Sequence, residues 1–458
     1  MNYSCYEIKS DSNLVIVQNG AVSSEQIKCS EIGVSMLKKG GSAVDAAIAA
    51  ELCIGVINSH SAGVGGGGFI LIRDSNGTSQ AIDFRETAPG ASTKLMYKNN
   101  PLLSQVGGLS VGVPGEIRGL ELAHKNFGKL KWETLFEPSI VLSKRGFKVP
   151  PELAKRLKEY KQEIESNPDL SAIYAPYGTI LNEGDIVKNY KLARTLKLLS
   201  KFGSEVFYNG KIAQSIVKKV RATNGIITSK DLKDYQPIVT KPITGFFNGG
   251  PILLAMLNIL ERYRLSTEVG FALRTEIDYA ALIQQNISDV SNKDHGTTHI
   301  SVVDKNNQSV SLTSTVNIKW GSQVMDPDTG ILLNDEMDDF STPGVSNYFG
   351  LKPSPYNYIA PNKRPLSSCV PVIIEKDGEF EMAIGGSGGT RILSSVLQVS
   401  MEYGYPNFLI PELLQRGHEI KLFNLTVGLS GVHAVVKQQN QTIFAAGDFR
   451  KHGVASGY

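Results

Sequence analysis

The chain has 458 residues, of which 41% are hydrophobic and 20% are charged, and 47 Lys and Arg residues against 44 Asp and Glu residues give a formal net charge of +3. This is the composition of an ordinary globular protein with ample length for a large core. It excludes a strongly basic nucleic-acid-binding protein, because the net charge is small and no basic stripe stands out.

No segment has the sequence pattern of a membrane span or a secretory leader. The most apolar long stretch, 42–57, carries Asp45 and Glu51 and is too short to cross a bilayer. Near the N-terminus the run Leu14–Val17 is too short for the apolar core of a signal peptide. We therefore expect neither a leader nor an anchor in this sequence.

The first part of the chain is predicted to form two helices and a β-hairpin. Ser42 with Asp45 resembles a helix-capping box, and Asn76-Gly77 is a typical hairpin turn. The predicted elements are, in order, helices at 26–39 and 42–57 and strands at 69–74 and 79–86.

Helical spacing dominates the middle of the chain, and paired strands dominate after Gly296. The predicted elements are a mostly helical region at 130–234, an extended segment at 236–247, helices at 251–263, 276–290 and 390–404, and strand pairs at 298–318, 369–386 and 431–448. With no repeat and no clear linker, these elements indicate an α+β layered domain.

Two glycine-rich segments need a physical explanation. The sequence GVGGGG at 63–68 matches G-x-G-x-x-G, but it follows a helix and precedes a strand, which is the reverse of a dinucleotide site. It indicates either a close approach of the backbone to another group or a tight corner. The sequence GGSGGT at 385–390 could turn backbone N–H groups toward an oxyanion or could be a flexible turn.

Several polar residues are candidates for binding a small charged molecule. Residues 334–340 contain four carboxylates but lack the ligand spacing of an EF-hand. The segment is therefore either a solvated loop or a binding site for a cationic amine. Arg85 could bind a carboxylate, although a surface salt bridge is more common for a lone arginine. Ser367 and Ser368 add two hydroxyl groups after a proline turn.

The segment DHGTTHISVV at 294–303 allows two interpretations. It could be a turn that enters a strand, or a site at which the chain cuts itself before Thr297 and uses the new N-terminal threonine as a nucleophile.

Taken together and in this order, the motifs resemble those of the γ-glutamyltransferase (γ-glutamyl transpeptidase) family, within the N-terminal nucleophile hydrolase superfamily. The resemblance covers about 26–458 and is carried by GGSAVDAAIAAELCIGV, GVGGGGF, FRETAP, GGLSVGVPGEIRG, HGTTHISVVD, TSTVNI, GSQVMDPDTGILLNDEMDDFS, PNKRPLSSCVP, GGSGGTRI and AAGDFRKHGVASGY. It implies a four-layer αββα sandwich of the α+β class.

The resemblance also implies self-cleavage between Gly296 and Thr297. The products would be a large subunit, 1–296, and a small subunit, 297–458, which pair as a heterodimer within one αββα domain. Cleavage frees the α-amine of Thr297, which can accept the proton of its own hydroxyl because its pKa is near 8. Thr315 would orient that hydroxyl.

The function implied is that of a glutathione hydrolase and γ-glutamyl transferase that works through a threonyl ester. The acyl group would pass to water, an amino acid or a peptide such as a dipeptide, and no metal or organic cofactor is required. By the match, the substrate α-carboxylate is bound by Arg85, Ser367 and Ser368, its α-ammonium by Asn317, Glu336 and Asp339, and the oxyanion by the N–H groups of Gly388 and Gly389.

The residues alone do not decide the cellular compartment of the protein or its covalent modification. Cys29 and Cys53 match a disulfide of animal members of the family, and the resemblance implies the plasma membrane or the extracellular face. Sequons of the form N-x-[ST] arise often by chance, so they carry little weight alone. They begin at Asn2, Asn76, Asn286, Asn307, Asn424 and Asn440.

The sequence departs from the family pattern in three shortened regions, which follow residues 250, 266 and 405. These gaps spare every matched site residue but could remove core helices. An alternative hypothesis is therefore a non-catalytic homologue that binds γ-glutamyl compounds or a partner without turnover.

Overall fold

The computed structural model describes residues 14–244, 295–348, 353–393, 395, 396, 399 and 430–458. The helices predicted at 251–263 and 276–290, and most of the one predicted at 390–404, lie outside these residues.

Helices lie at both predicted positions near the N-terminus and occupy most of residues 130–234, as the sequence pattern predicts. They are α1 (Ile27–Lys38), α2 (Ala43–Ile57), α3 (Glu116–Phe127), α4 (Trp132–Arg145), α5 (Pro151–Glu159), α6 (Lys161–Ser166), α7 (Pro168–Tyr174), α8 (Tyr190–Phe202), α9 (Glu205–Tyr208), α10 (Lys211–Ala222) and α11 (Ser229–Asp234).

The strands form two large antiparallel sheets and one small pair. The seven-stranded sheet has the order β14 (Val454–Gly457), β2 (Ala21–Ser24), β8 (His295–Val303), β9 (Ser309–Ile318), β3 (Gly67–Arg73), β4 (Ser79–Asp83), β7 (Ile238–Thr240). The five-stranded sheet has the order β1 (Val15–Val17), β13 (Ile443–Gly447), β12 (Gly431–Lys437), β11 (Glu379–Ser387), β10 (Val372–Lys376). The small pair is β5 (Phe147–Lys148) with β6 (Ile186–Val187).

The two large sheets stack face to face, with β11 and β12 of the smaller sheet against β8. Side chains alternate between the two faces of a strand, so one face of β8 looks toward the other sheet and the other face looks toward the helices. Ile300 and Val302 project to the helical side, where they join a core with Ile48 and Leu52 of α2. The strand that begins next to Gly296 is therefore covered on both faces.

Helix α2 is buried almost throughout, which explains its run of alanines. Small side chains let it pack closely against α1 and the seven-stranded sheet. Its N-terminus has the predicted capping box, in which Ser42 and Asp45 exchange hydrogen bonds with each other's backbone. A disulfide joins Cys29 of α1 to Cys53 of α2, and both residues are fully buried.

The described layers are thus a helical layer, a seven-stranded sheet and a five-stranded sheet. In the described part of the chain, no helix is long and apolar enough to span a membrane.

Candidate active site

The centre of the site is the pairing of β8 with β9 at their ends. A β-bulge between Gly296 and Thr297 shifts the register, so that Thr297 lies directly opposite Thr315. Their hydroxyl oxygens are 3.0 Å apart, and each donates a hydrogen bond of 2.6 Å to the carbonyl oxygen of Gly296. Strand β8 continues from His295 through Gly296 and Thr297 to Val303.

Close backbone approaches explain the glycines on either side of this pair. A Cβ on Gly296 would lie 2.7 Å from the carbonyl oxygen of His60, and one on Gly66 would lie 2.1 Å from that of Thr315. Neither gap can hold a methyl group, so only glycine fits at these positions. The glycine loop 63–68 therefore packs against the strand of Thr315. This agrees with the first of its two interpretations from the sequence, a close approach of the backbone to another group.

The four carboxylates of the NDEMDDF segment do not form a solvated loop, and that interpretation was wrong. The 3₁₀ turn Glu336–Asp339 and the preceding Asp335 are all buried. Asp335 Oδ1 accepts a hydrogen bond of 2.9 Å from the backbone N–H of Ile318, and its carbonyl oxygen accepts one of 3.1 Å from the side chain of Asn317. The acidic turn is thereby fixed to β9, two residues from Thr315.

Arg85 enters the same turn from the end of β4, and it is not a surface arginine. Its guanidinium forms ion pairs with Glu336, at 2.5 Å, and with Asp339, and it donates a hydrogen bond of 2.9 Å to the carbonyl oxygen of Leu366. Although burial opposes its charge, the two carboxylates raise the pKa of Arg85. Burial also raises the pKa of Glu336 well above its usual value, despite the nearby guanidinium.

Ser367 and Ser368 directly follow the carbonyl group that Arg85 contacts. Both are half-buried, and Ser367 Oγ accepts a hydrogen bond of 3.1 Å from the backbone N–H of Cys369. The segment contacts Arg85 through the carbonyl oxygen of Leu366. The structure therefore brings together a guanidinium, two carboxyl groups and a pair of hydroxyl-bearing residues.

Gly388 and Gly389 form a turn at the end of β11. Both have positive φ angles, 130° and 59°, which place two consecutive peptide units in a conformation that favours glycine. The turn is anchored by Ser387, whose hydroxyl donates to Glu25 and accepts from the ammonium group of Lys451, each at 2.8 Å. The 3₁₀ turn that begins at Gly389 contacts β8, the strand of Thr297.

Two further features were missed by the sequence analysis. The first is Asn334, which is fully buried and uses its whole amide group. Its Oδ1 accepts from the N–H groups of Gly112 and Glu336, at 2.9 and 3.0 Å, and its Nδ2 donates to the carbonyl oxygens of Gly65 and Gly112, at 2.8 and 3.0 Å. One side chain thus joins the glycine loop, the segment before α3 and the acidic turn.

The second is a pair of buried glutamates behind β9. Ser314, the neighbour of Thr315, donates a hydrogen bond of 2.9 Å to Glu116 at the start of α3. Glu51 of α2 is also buried, and its negative charge adds to the rise in the pKa of Glu116 that burial causes. Burial raises the pKa of Glu51 to about 8 and that of Glu116 well above its usual value. The sequence did contain one signal for this pair, which is that Glu51 is a charged residue inside the alanine-rich helix 42–57.

Among the described residues, no group of three or more His, Cys, Asp or Glu side chains is arranged to hold a metal ion. The chemistry that these residues can perform themselves is nucleophilic attack by a paired hydroxyl, on a strand that also holds a buried cluster of positive and negative side chains.

Known proteins resemble the chain over nearly its whole length. A family model described as Gamma-glutamyltranspeptidase matches residues 29–279 and 265–408. Glutathione hydrolase proenzyme 1 of Schizosaccharomyces pombe is 40% identical over 99% of this chain and 87% of its own length. The glutathione hydrolase proenzyme of Escherichia coli K12 is 34% identical over 85% of this chain and 79% of its own length.

The alignment with the S. pombe protein extends over 547 positions, whereas this chain has 458 residues, so that relative has segments that this chain lacks. Among solved structures, a cephalosporin acylase from Bacillus halodurans has a TM-score of 0.80 and 21% identity, covering 100% of this chain and 99% of that one. At that identity the likeness shows the fold alone, and it confirms the predicted α+β sandwich.

Proposed function

Because the chain belongs to the gamma-glutamyltranspeptidase family, we propose that it hydrolyses glutathione and other γ-glutamyl amides and transfers the γ-glutamyl group to amino acids or peptides. One observation carries the proposal: the Thr297 hydroxyl is 2.6 Å from the carbonyl oxygen of Gly296 and 3.0 Å from the hydroxyl of Thr315. This geometry supports a chain that makes its own N-terminal nucleophile. Relatives named proenzymes support the same step.

The self-cleavage step follows from this geometry. Thr297 Oγ attacks the carbonyl carbon of Gly296, the C–N bond breaks, and the nitrogen takes the hydroxyl proton, which leaves an ester and a free amine. Water then hydrolyses the ester to give a carboxyl group on Gly296 and a free Thr297. The hydrogen bond from Thr315 to the carbonyl oxygen stabilises the negative charge that develops there.

Turnover uses the same hydroxyl with a new base. The freed α-amine of Thr297 accepts the hydroxyl proton while the oxygen attacks the γ-carbonyl carbon of the substrate. The N–H groups of Gly388 and Gly389 would donate to the oxyanion, and a single donor of this kind contributes about 3 kcal/mol to transition-state stabilisation. The leaving amine takes the proton, and water or an acceptor amine then removes the γ-glutamyl group from the threonyl ester.

The charged side chains of the site match the charges of a γ-glutamyl group, which has an α-carboxylate and an α-ammonium. Arg85 pairs with Glu336 and Asp339. A zwitterion can enter between them, with its carboxylate on Arg85 and its ammonium on the two carboxylates. Each buried charge then keeps an opposite partner, which avoids the cost of an uncompensated charge.

The large and small subunits would remain associated after cleavage. Strands β2 and β3 of residues 1–296 pair in one sheet with the part of β8 that follows Gly296 and with β9, both in residues 297–458. The buried Cys29–Cys53 disulfide supports an oxidising location, and we place the enzyme at the plasma membrane or the extracellular face.

The experiment that tests the proposal follows cleavage and turnover in one preparation. Purified full-length chain should show two fragments on a denaturing gel, with the new N-terminus at Thr297, and it should hydrolyse a chromogenic γ-glutamyl anilide. Thr297→Ala should abolish both. Thr298→Ala is the matched control, because Thr298 follows directly, is equally buried and points to the other face of the strand. An intact chain without anilide hydrolysis would instead support the non-catalytic homologue.

A further inference from the structure

Strand β9 is held on both of its faces at two consecutive residues. On one face, the hydroxyl of Thr315 donates a hydrogen bond of 2.6 Å to the carbonyl oxygen of Gly296. Ser314 projects to the opposite face, as alternate residues of a strand do, and its hydroxyl donates a hydrogen bond of 2.9 Å to Glu116 Oε2. Ser314 and Glu116 are both buried. The contact behind the strand is therefore shielded from water, like the contact in front of it.

Glu116 is the first residue of α3, and its backbone is tied to the same part of the site. The N–H groups of Gly115 and Glu116 donate hydrogen bonds of 2.9 and 3.0 Å to the carbonyl oxygen of Gly66. Gly66 in turn lies against the backbone of Thr315, because a Cβ at Gly66 would be 2.1 Å from the carbonyl oxygen of Thr315. The start of α3 is thus joined to β9 twice, through the side chain of Glu116 and through the glycine loop.

Close packing also fixes the start of α3. A Cβ at Gly115 would lie 1.9 Å from the carbonyl oxygen of Phe84, the residue between β4 and Arg85. The backbone before Glu116 therefore has no room to move toward that segment. A change in the contact between Glu116 and Ser314 must be taken up by β9 or by the two side chains.

The carboxyl group of Glu116 depends on Ser314 for its hydrogen bond. Its other oxygen, Oε1, has no hydrogen-bond partner in the part of the chain that the structure describes. Glu116 lines a cavity of about 10 Å³, which it shares with Glu51 and which is otherwise lined by glycine and apolar side chains. Burial and the negative charge of Glu51 raise the pKa of Glu116 well above its usual value, although the hydrogen bond from Ser314 opposes this rise. Loss of the Ser314 hydroxyl would leave a buried carboxyl group without its donor, which is costly and favours a shift of the strand.

We propose that Glu116 is a positioning residue, which acts through Ser314 to hold the hydroxyl of Thr315 against the carbonyl oxygen of Gly296. The inference rests on the proposed function, in which Thr315 assists self-cleavage and orients Thr297. Because Glu116 and Ser314 lie behind the strand, they affect the rates of self-cleavage and turnover more than KM. A misplacement of about 1 Å can lower such a rate by about 100-fold.

Three variants test the contact by its effect on rates. Ser314→Ala removes the donor and should slow self-cleavage by about 10-fold to 100-fold, and the kcat of the cleaved fraction should fall by a similar factor with little change in KM. Glu116→Leu removes the acceptor and should have the same effect. The double variant should be no slower than either single variant, because both changes remove one contact. Glu116→Gln keeps an acceptor oxygen and should restore most of the rate.

Ser311→Ala is the matched control for a loss of stability. Ser311 is a fully buried serine of the same strand, and its hydroxyl donates a hydrogen bond of 2.9 Å to the carbonyl oxygen of Ile384. Its substitution should lower the urea midpoint at least as much as Ser314→Ala does, without slowing self-cleavage or lowering kcat. If Ser311→Ala were as slow as Ser314→Ala, the effect would come from lost stability alone, and the proposal would be overturned.

A crystallographic measurement tests the positioning role without requiring activity. Thr297→Ala removes the nucleophile, so the chain stays uncut and keeps the carbonyl group of Gly296 in place. Adding Ser314→Ala should move the Thr315 hydroxyl beyond hydrogen-bonding distance from that oxygen or into a second rotamer, whereas adding Ser311→Ala should keep the 2.6 Å contact. An unmoved Thr315 hydroxyl in the Ser314 variant would overturn the proposal. An unmodified chain that neither cleaves itself nor hydrolyses a γ-glutamyl anilide would instead count against the proposed function.

Discussion

Thr297 and Thr315 lie opposite each other on β8 and β9, with their hydroxyl oxygens 3.0 Å apart and both directed at the carbonyl oxygen of Gly296. Thr315 also accepts a hydrogen bond of 2.8 Å from the backbone N–H of Asn317, which fixes the orientation of its own hydroxyl. Thr315 is therefore in place to polarise the bond that Thr297 would attack.

We expect Thr315→Val to slow self-cleavage by about 100-fold to 1000-fold, the usual effect of removing one donor to a developing oxyanion. Valine keeps the branched shape and removes the hydroxyl, so the fold should persist. The measurement is the fraction of uncut chain on denaturing gels over time. Thr315→Ser is the control and should restore most of the rate, whereas cleavage of the valine variant at the normal rate would exclude this role.

Substitution of Arg85 by Gln should raise KM by about 10-fold to 100-fold, because hydrogen bonds to charged groups contribute about 1.5–3 kcal/mol. The value of kcat should fall less, because Arg85 does not contact Thr297. Steady-state kinetics with a γ-glutamyl anilide separate the two constants.

The chain offers a matched control in Arg73→Gln. Arg73 is as buried as Arg85 and also forms an ion pair, with Glu375, but at the far end of the sandwich. It should lower stability without a change in KM. Equal KM values for the Arg85 and Arg73 variants would show that Arg85 has only a structural role.

Local patterns in the sequence were sufficient to predict the strand pairs and the helices that the structure describes, but at the glycine loop they left a close backbone approach and a tight corner as alternatives. They did not decide between a solvated loop and a binding site at 334–340, because the sequence alone does not show what surrounds the four carboxylates. The groups that allow their burial come from distant segments: Arg85, Ser104 and Ile318 contact Glu336, Asp338 and Asp335 respectively. Such partners are visible only once the strands are placed.

Asn334 illustrates the same limit, and it yields a further prediction. Asn334→Ala should lower the free energy of unfolding by about 3 kcal/mol, because it leaves buried backbone groups of Gly65 and Gly112 without partners. Urea denaturation measures this loss. Asn306→Ala, at an exposed position in the β8–β9 turn, should have little effect. A similarly small change for Asn334→Ala would contradict the bridging role.

The Asn334 variant should also weaken substrate binding if it folds, because Asn334 holds the N–H of Glu336. We expect a higher KM with a smaller change in kcat. Asn334→Asp keeps the acceptor oxygens but loses the donor to Gly65 and adds a charge next to Glu336, so its KM should rise at least as much.

The buried pair of Glu51 and Glu116 predicts that the protein loses stability as the pH rises. Burial raises the pKa of Glu51 from 4.5 to about 8, so the folded protein holds a proton that the unfolded chain releases above pH 4.5. The contribution of this proton to the free energy of unfolding is complete below pH 4.5. Between pH 4.5 and about pH 8 it falls by about 1.4 kcal/mol per pH unit for one proton. Urea midpoints across this range measure the slope.

Glu51→Gln removes the titrating group and keeps its size, so its stability should depend less on pH than that of the unmodified protein. The control is Glu163→Gln, at an exposed position of α6, which should leave the slope unchanged. Parallel curves for Glu51→Gln and the unmodified chain would show that the pair does not hold this proton.

The α-amine of Thr297 needs to be neutral to act as a base, and its pKa is near 8. Activity should therefore rise over the range in which the glutamate pair destabilises the fold, and Glu51→Gln should extend activity to higher pH.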